Sequence, residues 1–456
     1  MENEFLISPF QWRYGSKEMR SLWSEENKRL LWRKVWYFLL RAFCEVTGTK
    51  VDLKNVLKKI WDLDISKSTE TEREFKHDLF AELKTFADQL GKDGQFLHFG
   101  ATSYDVEDNA DALRFYDATK IVLKKLVFLC DVLADLSERY KSFTCLGYTH
   151  LQPAQPTTLG HRFAYYLQDL IFEGKALDQI LRNFRVRGLR GAVGTSASWC
   201  AVFGKKKFKK LEKLFLRQIG FKAFEISSQI QCRKLEQMIL QILGGVASTI
   251  HKIALDIRIL SSFGEVFESY QTNRIGSSAM PFKKNPSTSE QICSLCRHLI
   301  LLVNNHLMNS SLNALERTLD DSANRRIFIP ECFLIIDHVL DSVSEVLQNI
   351  VVNTEEIQKN LKYHCVYILE PLKLFLTLEG YGVVEAHSLS RQISDYGLSD
   401  VQKILDIAQQ KFKLSQESAR KLKHLGFNPE RYIGLIEEYI GNVLTSYKTW
   451  KDKLKI

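Results

Sequence analysis

From Arg233 to Tyr270 apolar residues fall at Leu235, Ile239, Ile242, Val246, Ile250, Ile253, Ile257, Leu260 and Phe267, in steps of three and four. That period belongs to a helix with one buried face; a strand buries every second residue instead. Unbroken, the run is a rod of about 60 Å at 1.5 Å per residue. A rod of that length requires partners along it, either other helices or other subunits. Asp320 to Val351 repeats the pattern with Phe333, Ile336, Leu340, Val343, Leu347 and Ile350, and Pro330 fits there only near the helix start or at a kink.

The remainder has the same texture. Only 8 prolines and 23 glycines occur in 456 residues, too few for linkers or disordered tracts, and 45% hydrophobic content is enough for a large core. Helical patterns cover Ser21 to Val46, Thr71 to Leu90, Val106 to Tyr140 (with Ser103 or Asp105 as cap) and about thirty residues from Thr157. After Asn353 the segments shorten, broken at Gly380, Gly382, Gly397 and Gly426 to Pro429. An all-α chain of three helical domains is expected: 1–102, a central long-helix bundle over 103–352, and 353–456. No repeat and no glycine-rich phosphate loop is present, so no cofactor has a visible anchor.

Charge and cysteines narrow the function classes. A net charge of +9 comes from 63 basic and 54 acidic residues that are interspersed, which favours small anionic partners over nucleic acid. The cluster Lys205, Lys206, Lys207, Lys209 and Lys210 reads as a solvated helix start. Nine scattered cysteines and a Met1–Glu4 start without signal-peptide layout point to a reducing, cytoplasmic setting. Cys293 and Cys296 are spaced for packing on a helix, and no second such pair completes a metal site. No apolar run reaches the ~18 residues of a membrane span, so no membrane partner is expected.

Polar loops interrupt the rods. Arg274 to Pro286 carries two hydroxyls, two cations and an amide between two long helical patterns. His98 to Asp105, Gly147 to Pro156 and Gly191 to Ser198 are similar in kind. This inventory suits holding an anion and moving protons, because His serves as an acid near neutrality while Lys and Arg stabilise developing negative charge. Each residue alone has an equally good structural role: His150 bonding loop backbone, His98 capping a helix, Lys283 solvated at the surface.

The pattern Gly276-Ser277-Ser278-x-Met280-x-x-Lys283-x-Asn285-Pro286 resembles the signature loop of the aspartase/fumarase superfamily, and Ser-Ser-Ala-Met-Pro-Phe-Lys-Lys-Asn-Pro its adenylosuccinate lyase branch. Further matches run through Ser8 to Gly15, His77-Asp78, Gly100 to Ser103, Thr149 to Gln155 and Glu316 to Arg326, most of the chain's length. The resemblance implies non-hydrolytic β-elimination of fumarate, from adenylosuccinate giving AMP and from the imidazole intermediate SAICAR giving AICAR. It also implies a homotetramer built on a twenty-helix core, with active sites shared between subunits.

Roles carried over by motif make Ser277 the general base and His150 the general acid. Lys283 and Asn285 hold a succinyl carboxylate, and Glu290 orients and polarises His150. Thr102, Ser103 and Gln229 contact substrate, with His77 and His98 close to the reacting end and Lys76 and Asp78 beside them. Arg13, Tyr14, Arg317, Ser322 and Arg326 form the nucleotide and phosphate set, for which arginine's forked donors suit a phosphate. Arg325 and Asp321 have an alternative role as ion pairs on a helix start. Two positions depart from the family pattern: Lys76 stands where many relatives have arginine, and Gln291 where some have a substrate-touching arginine. Argininosuccinate lyase, another superfamily member or a catalytically silent scaffold are the alternatives. The Phe282-Lys283-Lys284 run and the Arg317 to Arg326 segment speak against another lyase, and the presence of His150 and Ser277 against a silent scaffold.

Overall fold

The computed structural model describes residues 7–269, 284–396, 400–412 and 414–454. The first helices are α1 (Lys17–Leu22), α2 (Glu25–Thr47), α3 (Leu53–Lys59), α4 (Ile65–Phe75) and α5 (Asp78–Leu90). Ser16, Ser24, Asp52 and Asp64 each accept a first-turn backbone N–H, satisfying donors that a helix leaves open. Both helical patterns read in this region divide. Ser24 caps α2 and so separates it from α1. Lys76, left-handed at φ 56°, ends α4 one residue before α5 begins, with His77 as its cap.

The long helices follow: α6 (Ser103–Arg139), α7 (Leu159–Arg182), α8 (Ala197–Ile219), α9 (Arg233–Ser262), α10 (Ser287–Leu302), α11 (Asn304–Leu312) and α12 (Asp320–Gln348). The cap of α6 is Thr102, not Ser103 or Asp105. Asp105 has the reciprocal role, accepting the Thr102 N–H at 2.9 Å. On α9 the side chains of Ile239, Val246, Ile250, Ile253 and Ile257 are buried, each burial worth about 1.5–3 kcal/mol. They face α7, α10 and α12. Contrary to expectation, α9 is long and apolar enough to cross a membrane. More than half of its most apolar window is buried against neighbouring helices, as in the core helix of a bundle. It stops at Ser262, short of Tyr270, because Gly264 (φ 75°) turns the chain and Val266–Phe267 pairs antiparallel with Val351–Val352. Pro330 sits in the third turn of α12, past the start, among buried Phe328, Ile329, Cys332 and Phe333.

Side-chain bonds fix the helix directions. Arg233 at the start of α9 meets Asp108 near the start of α6, and Lys125 of α6 meets Asp337 and Asp341 of α12 at 2.6 Å each. Thus α6, α9 and α12 run the same way. Tyr166, early in α7, bonds Asp256, late in α9, so α7 runs oppositely. Between α6 and α7 the expected loop is instead a β-hairpin, β1 (Thr144–Thr149) and β2 (Gln152–Thr158). Pro153 and Pro156 are accommodated because a two-stranded ribbon has an outer edge that needs no donor. Gly160 admits the close approach of α7 to the end of α6, where a Cβ would lie 2.7 Å from the Tyr140 backbone.

The C-terminal helices are α13 (Thr354–Tyr363), α14 (Leu369–Leu378), α15 (Val383–Ser394), α16 (Val401–Lys411), α17 (Gln416–Phe427) and α18 (Ile436–Lys451). Buried residues from Cys365 to Leu422 form a core of their own, while Tyr447 and Trp450 of α18 join the main one. All nine cysteines are free, Cys293 and Cys296 being buried core residues. Among the described residues no group of three or more His, Cys, Asp or Glu is placed to hold a metal ion.

Candidate active site

The end of the bundle where α6, α9 and α12 begin collects most of the polar residues singled out above. The α4–α5 junction presents Lys76, His77 and Asp78 there. His77 Nδ1 accepts the Phe80 N–H at 3.4 Å, which leaves Nε2 to face the Ser103 hydroxyl at 3.3 Å. Asp78 pairs with Arg326 at 3.1 Å and lies 3.8 Å from Lys28. His98 Nδ1 accepts the indole N–H of Trp36 at 2.9 Å. Burial holds the His98 pKa below the usual histidine range; Asp105 opposes that shift and His77 adds to it.

Arg317 is held from two sides. It donates to Asp321 at 2.5 Å and to the Tyr104 hydroxyl, and its guanidinium stacks 4.4 Å from the Tyr104 ring. The Gln229 backbone bonds the Glu316 carbonyl at 3.3 Å, which brings Gln229 beside Arg317, and half-buried Ser322 lies in the first turn of α12. Arg326 is exposed, whereas Arg325 is buried with both Glu236 oxygens within 3.0 Å. Beneath the site, Glu236 also bonds Gln231, Arg233 and His306, and Arg233 reaches Asp108 and Asp321. Burial raises the Glu236 pKa, but Arg325, Arg233 and His306 outweigh it and hold the carboxyl at about 2. Arg325 and Asp321 therefore serve as buried ion-pair partners.

Two further residues here carry chemistry. Glu107 lies one turn after Ser103 on the same face of α6. Burial, with Asp78, Asp111 and Asp108 adding to it and Arg326 opposing, pushes its carboxyl up to about 8. Tyr104, raised to about 12 by burial, stays a neutral phenol. The spacing of Ser103, Glu107 and Asp111 on one helix face is the sequence signal that marks Glu107; Tyr104 has none, since its partner lies 213 residues away.

Arg13 and Tyr14 lie elsewhere. Their loop packs on the middle of α12, with Tyr14 edge-on to His338 at 5.1 Å and Gly15 (φ 80°) against Leu334, where a Cβ would lie 2.6 Å from Leu334 Cδ2. Those positions are about 12–18 Å along α12 from Arg326. His338 also faces Gln291 at 3.5 Å.

His150 and Glu290 are at the opposite end of the bundle, about 45 Å away at the length of α9. His150 and Leu151 form the two-residue turn of the hairpin, and both have positive φ, 54° and 59°. That is the type I′ arrangement, which normally takes glycine or asparagine. Tyr148 anchors the hairpin to Glu265 at 2.6 Å, and Glu268 caps α10 through the N–H groups of Thr288 and Ser289. Asn285 and Glu290 flank that helix start. Glu290 and His150 are both exposed, and no hydrogen bond or ion pair joins them within the chain; the polarising contact expected between them is not made there. A cavity of about 710 Å³ opens beside the hairpin, lined by Thr149, Gln155, His161, Arg162 and Lys252 among others, away from the His77 to Arg326 group. Ser277 and Lys283 lie outside the described residues.

The mainly helical bundle, with polar side chains gathered at its ends, is one in which residues 46–301 match the family described as Lyase. The fold agrees with a 3-carboxy-cis,cis-muconate lactonizing enzyme from Pseudomonas putida (TM-score 0.83, 21% identity, 97% of this chain and 99% of that one). A fumarate lyase from Mesorhizobium sp. BNC1 agrees similarly (TM-score 0.81, 20% identity, the same coverage). In sequence the chain is 37% identical over 386 residues to an adenylosuccinate lyase of Schistosoma mansoni, covering 83% of this chain and 80% of that protein. It is 35% identical over 448 residues to one from Pyrococcus abyssi, covering 96% and 97%. The chain belongs to the lyase family and, within it, to the adenylosuccinate lyases.

Proposed function

We propose that the chain releases fumarate by β-elimination from adenylosuccinate, giving AMP, and from SAICAR, giving AICAR. A base takes the proton from the carbon next to a succinyl carboxylate, the C–N bond breaks, and an acid protonates the departing nitrogen. Ser277 is the base and His150 the acid. Lys283 and Asn285 hold the carboxylate, on which negative charge accumulates between the two steps. Glu290 acts on a His150 from another chain. Arg317, Arg326 and Ser322 take the phosphate, and His77, His98, Thr102, Ser103 and Gln229 line the reacting part, with Lys76 and Asp78 completing the charge around His77. Arg13 and Tyr14 enter from a separate segment.

The observation that carries this reading is the convergence at one bundle end of His77, Ser103, His98, Arg317 and Arg326, which come from three separate segments of the sequence. We place the enzyme in the cytoplasm as a homotetramer without cofactor or metal, acting on small purine nucleotides. We divide its chain at 102/103 and 352/353; the separate core around Cys365 to Leu422 supports the second boundary. Incubation with adenylosuccinate, SAICAR and argininosuccinate in parallel, following fumarate, is expected to show release from the two purine substrates only. Release from argininosuccinate alone, or from none, overturns the proposal.

A further inference from the structure

Trp36 is fully buried on α2, and its indole N–H points at one nitrogen of the half-buried His98 ring. Turning the imidazole over would set a carbon opposite that N–H and leave a buried donor without an acceptor, which costs about 1–3 kcal/mol. Nδ1 is therefore the acceptor and carries no hydrogen, so in the neutral ring the proton must be on Nε2. Protonating a ring that already holds Nε2–H has to occur at Nδ1. There the new N–H would confront the indole N–H, and both donors would lose their partner.

We propose that Trp36 is a positioning residue for the elimination: its indole N–H locks His98 as the neutral Nε2–H tautomer and blocks its conversion to the cation. His98 is then a donor of one hydrogen bond to substrate and neither a proton acceptor nor a fixed charge. Its location between His77 and Asp105 makes the device useful. Asp105 from the first turn of α6 favours the cation, although Arg187 and the N–H groups of Arg190 and Gly191 already engage that carboxylate. His77 from the start of α5 disfavours it. Arg33 of α2 and Glu82 of α5 are paired at 2.6 Å, and Arg29 of α2 also meets Glu82 at 3.2 Å. Without the indole, the presence of a positive charge beside the substrate would depend on pH in the range where an enzyme works.

The part of this inference that concerns substrate rests on the proposed function; the part that concerns the tautomer does not. The tautomer is read on the whole protein labelled with ¹⁵N-histidine, His98 being assigned through a His98→Gln variant. The expected wild-type spectrum shows His98 neutral with Nε2–H from pH 6 to 8. A Nδ1–H signal, or an imidazolium at pH 7, overturns the proposal without any variant of Trp36. Trp36→Phe keeps an aromatic ring in the core while removing the donor. In it the His98 titration is expected to move up by about one pH unit, with loss of the fixed tautomer. KM for adenylosuccinate at pH 8, where the unlocked neutral ring can carry its proton on Nδ1 instead, is expected to rise up to about fivefold over wild type, the worth of one neutral hydrogen bond, with little change at pH 6, where the cation keeps its Nε2–H. An unchanged titration in Trp36→Phe refutes the locking. A locked tautomer in a protein that releases no fumarate refutes the functional reading instead.

Discussion

At the hairpin turn one residue serves two demands that pull against each other. His150 and Leu151 both occupy the left-handed region, which costs an L-residue roughly 1–2 kcal/mol. Leu151 is 60% exposed, so packing offsets little of that cost. Leu151→Gly is therefore expected to raise stability by up to about 1 kcal/mol in thermal melts. Asparagine tolerates the same backbone, so His150→Asn should preserve the turn and isolate the chemistry. If His150 is the acid, kcat falls by about 10²–10⁴ in that variant with an unchanged melting temperature; a normal rate assigns the histidine to the turn alone. Glu107 makes a second residue-level case, this time in pH. Its pKa is raised in the folded chain from 4.5 to about 8, so between those values the folded state binds the extra proton. The stability this contributes is complete below 4.5 and is lost as pH rises through about 8. Glu107→Gln is expected to flatten that decline in denaturant titrations run from pH 5 to 9; an unchanged slope means the carboxyl titrates normally.

Among the elements, the ion pairs beneath the site tie α6, α9, α11 and α12 together where no apolar packing could place charges so closely. Glu236 accepts from Arg325, Arg233 and Gln231, all buried, and its low pKa means this stability is present above 4.5 and lost as pH falls through about 2. Removing the carboxylate leaves two buried guanidinium groups short of a partner, so Glu236→Gln should cost about 3–5 kcal/mol, read as a lower denaturant midpoint. A loss below about 1 kcal/mol would show that water or neighbouring acids replace it. The helices themselves were legible because buried positions on α9 and α12 recur at three and four. The same rule overran at both ends of its validity. Phe267 fits the period of α9 but belongs to a strand, and the pattern from Thr71 to Leu90 runs across the break at Lys76 because a left-handed lysine leaves no trace in hydrophobic periodicity. Prolines hid the hairpin, since Pro153 and Pro156 argue against a strand unless it has a free edge. Motif resemblance named His77, Ser103, Arg317 and Arg326, which gather at one bundle end, but not Trp36, Tyr104 or Glu236, whose meaning depends on partners from helices remote in sequence.

For the whole molecule, the decisive quantity is the length of the bundle. His77 and His150 sit at opposite ends of helices about 45 Å long, and no single small substrate spans that distance. Meanwhile Phe172 on α7, Leu301 on α10, Met308 and Leu312 on α11 and Ile327 on α12 are exposed apolar residues on long helices, with Leu301 at 70%. In the proposed tetramer, packing copies side by side with some reversed would cover those faces and bring the start of one bundle to the end of another. Sedimentation is expected to give a tetramer, and a fully active monomer would rule the arrangement out. A sharper test mixes two inactive proteins, His77→Gln and His150→Asn, under conditions that exchange subunits. If each site draws these residues from different chains, a random equal mixture contains intact sites wherever a His150→Asn chain supplies His77 and a His77→Gln chain supplies His150, roughly a quarter of the total. About a quarter of the wild-type rate should return. If one chain furnished both histidines, every site in the mixture would lack one of them, and no activity would return at any mixing ratio.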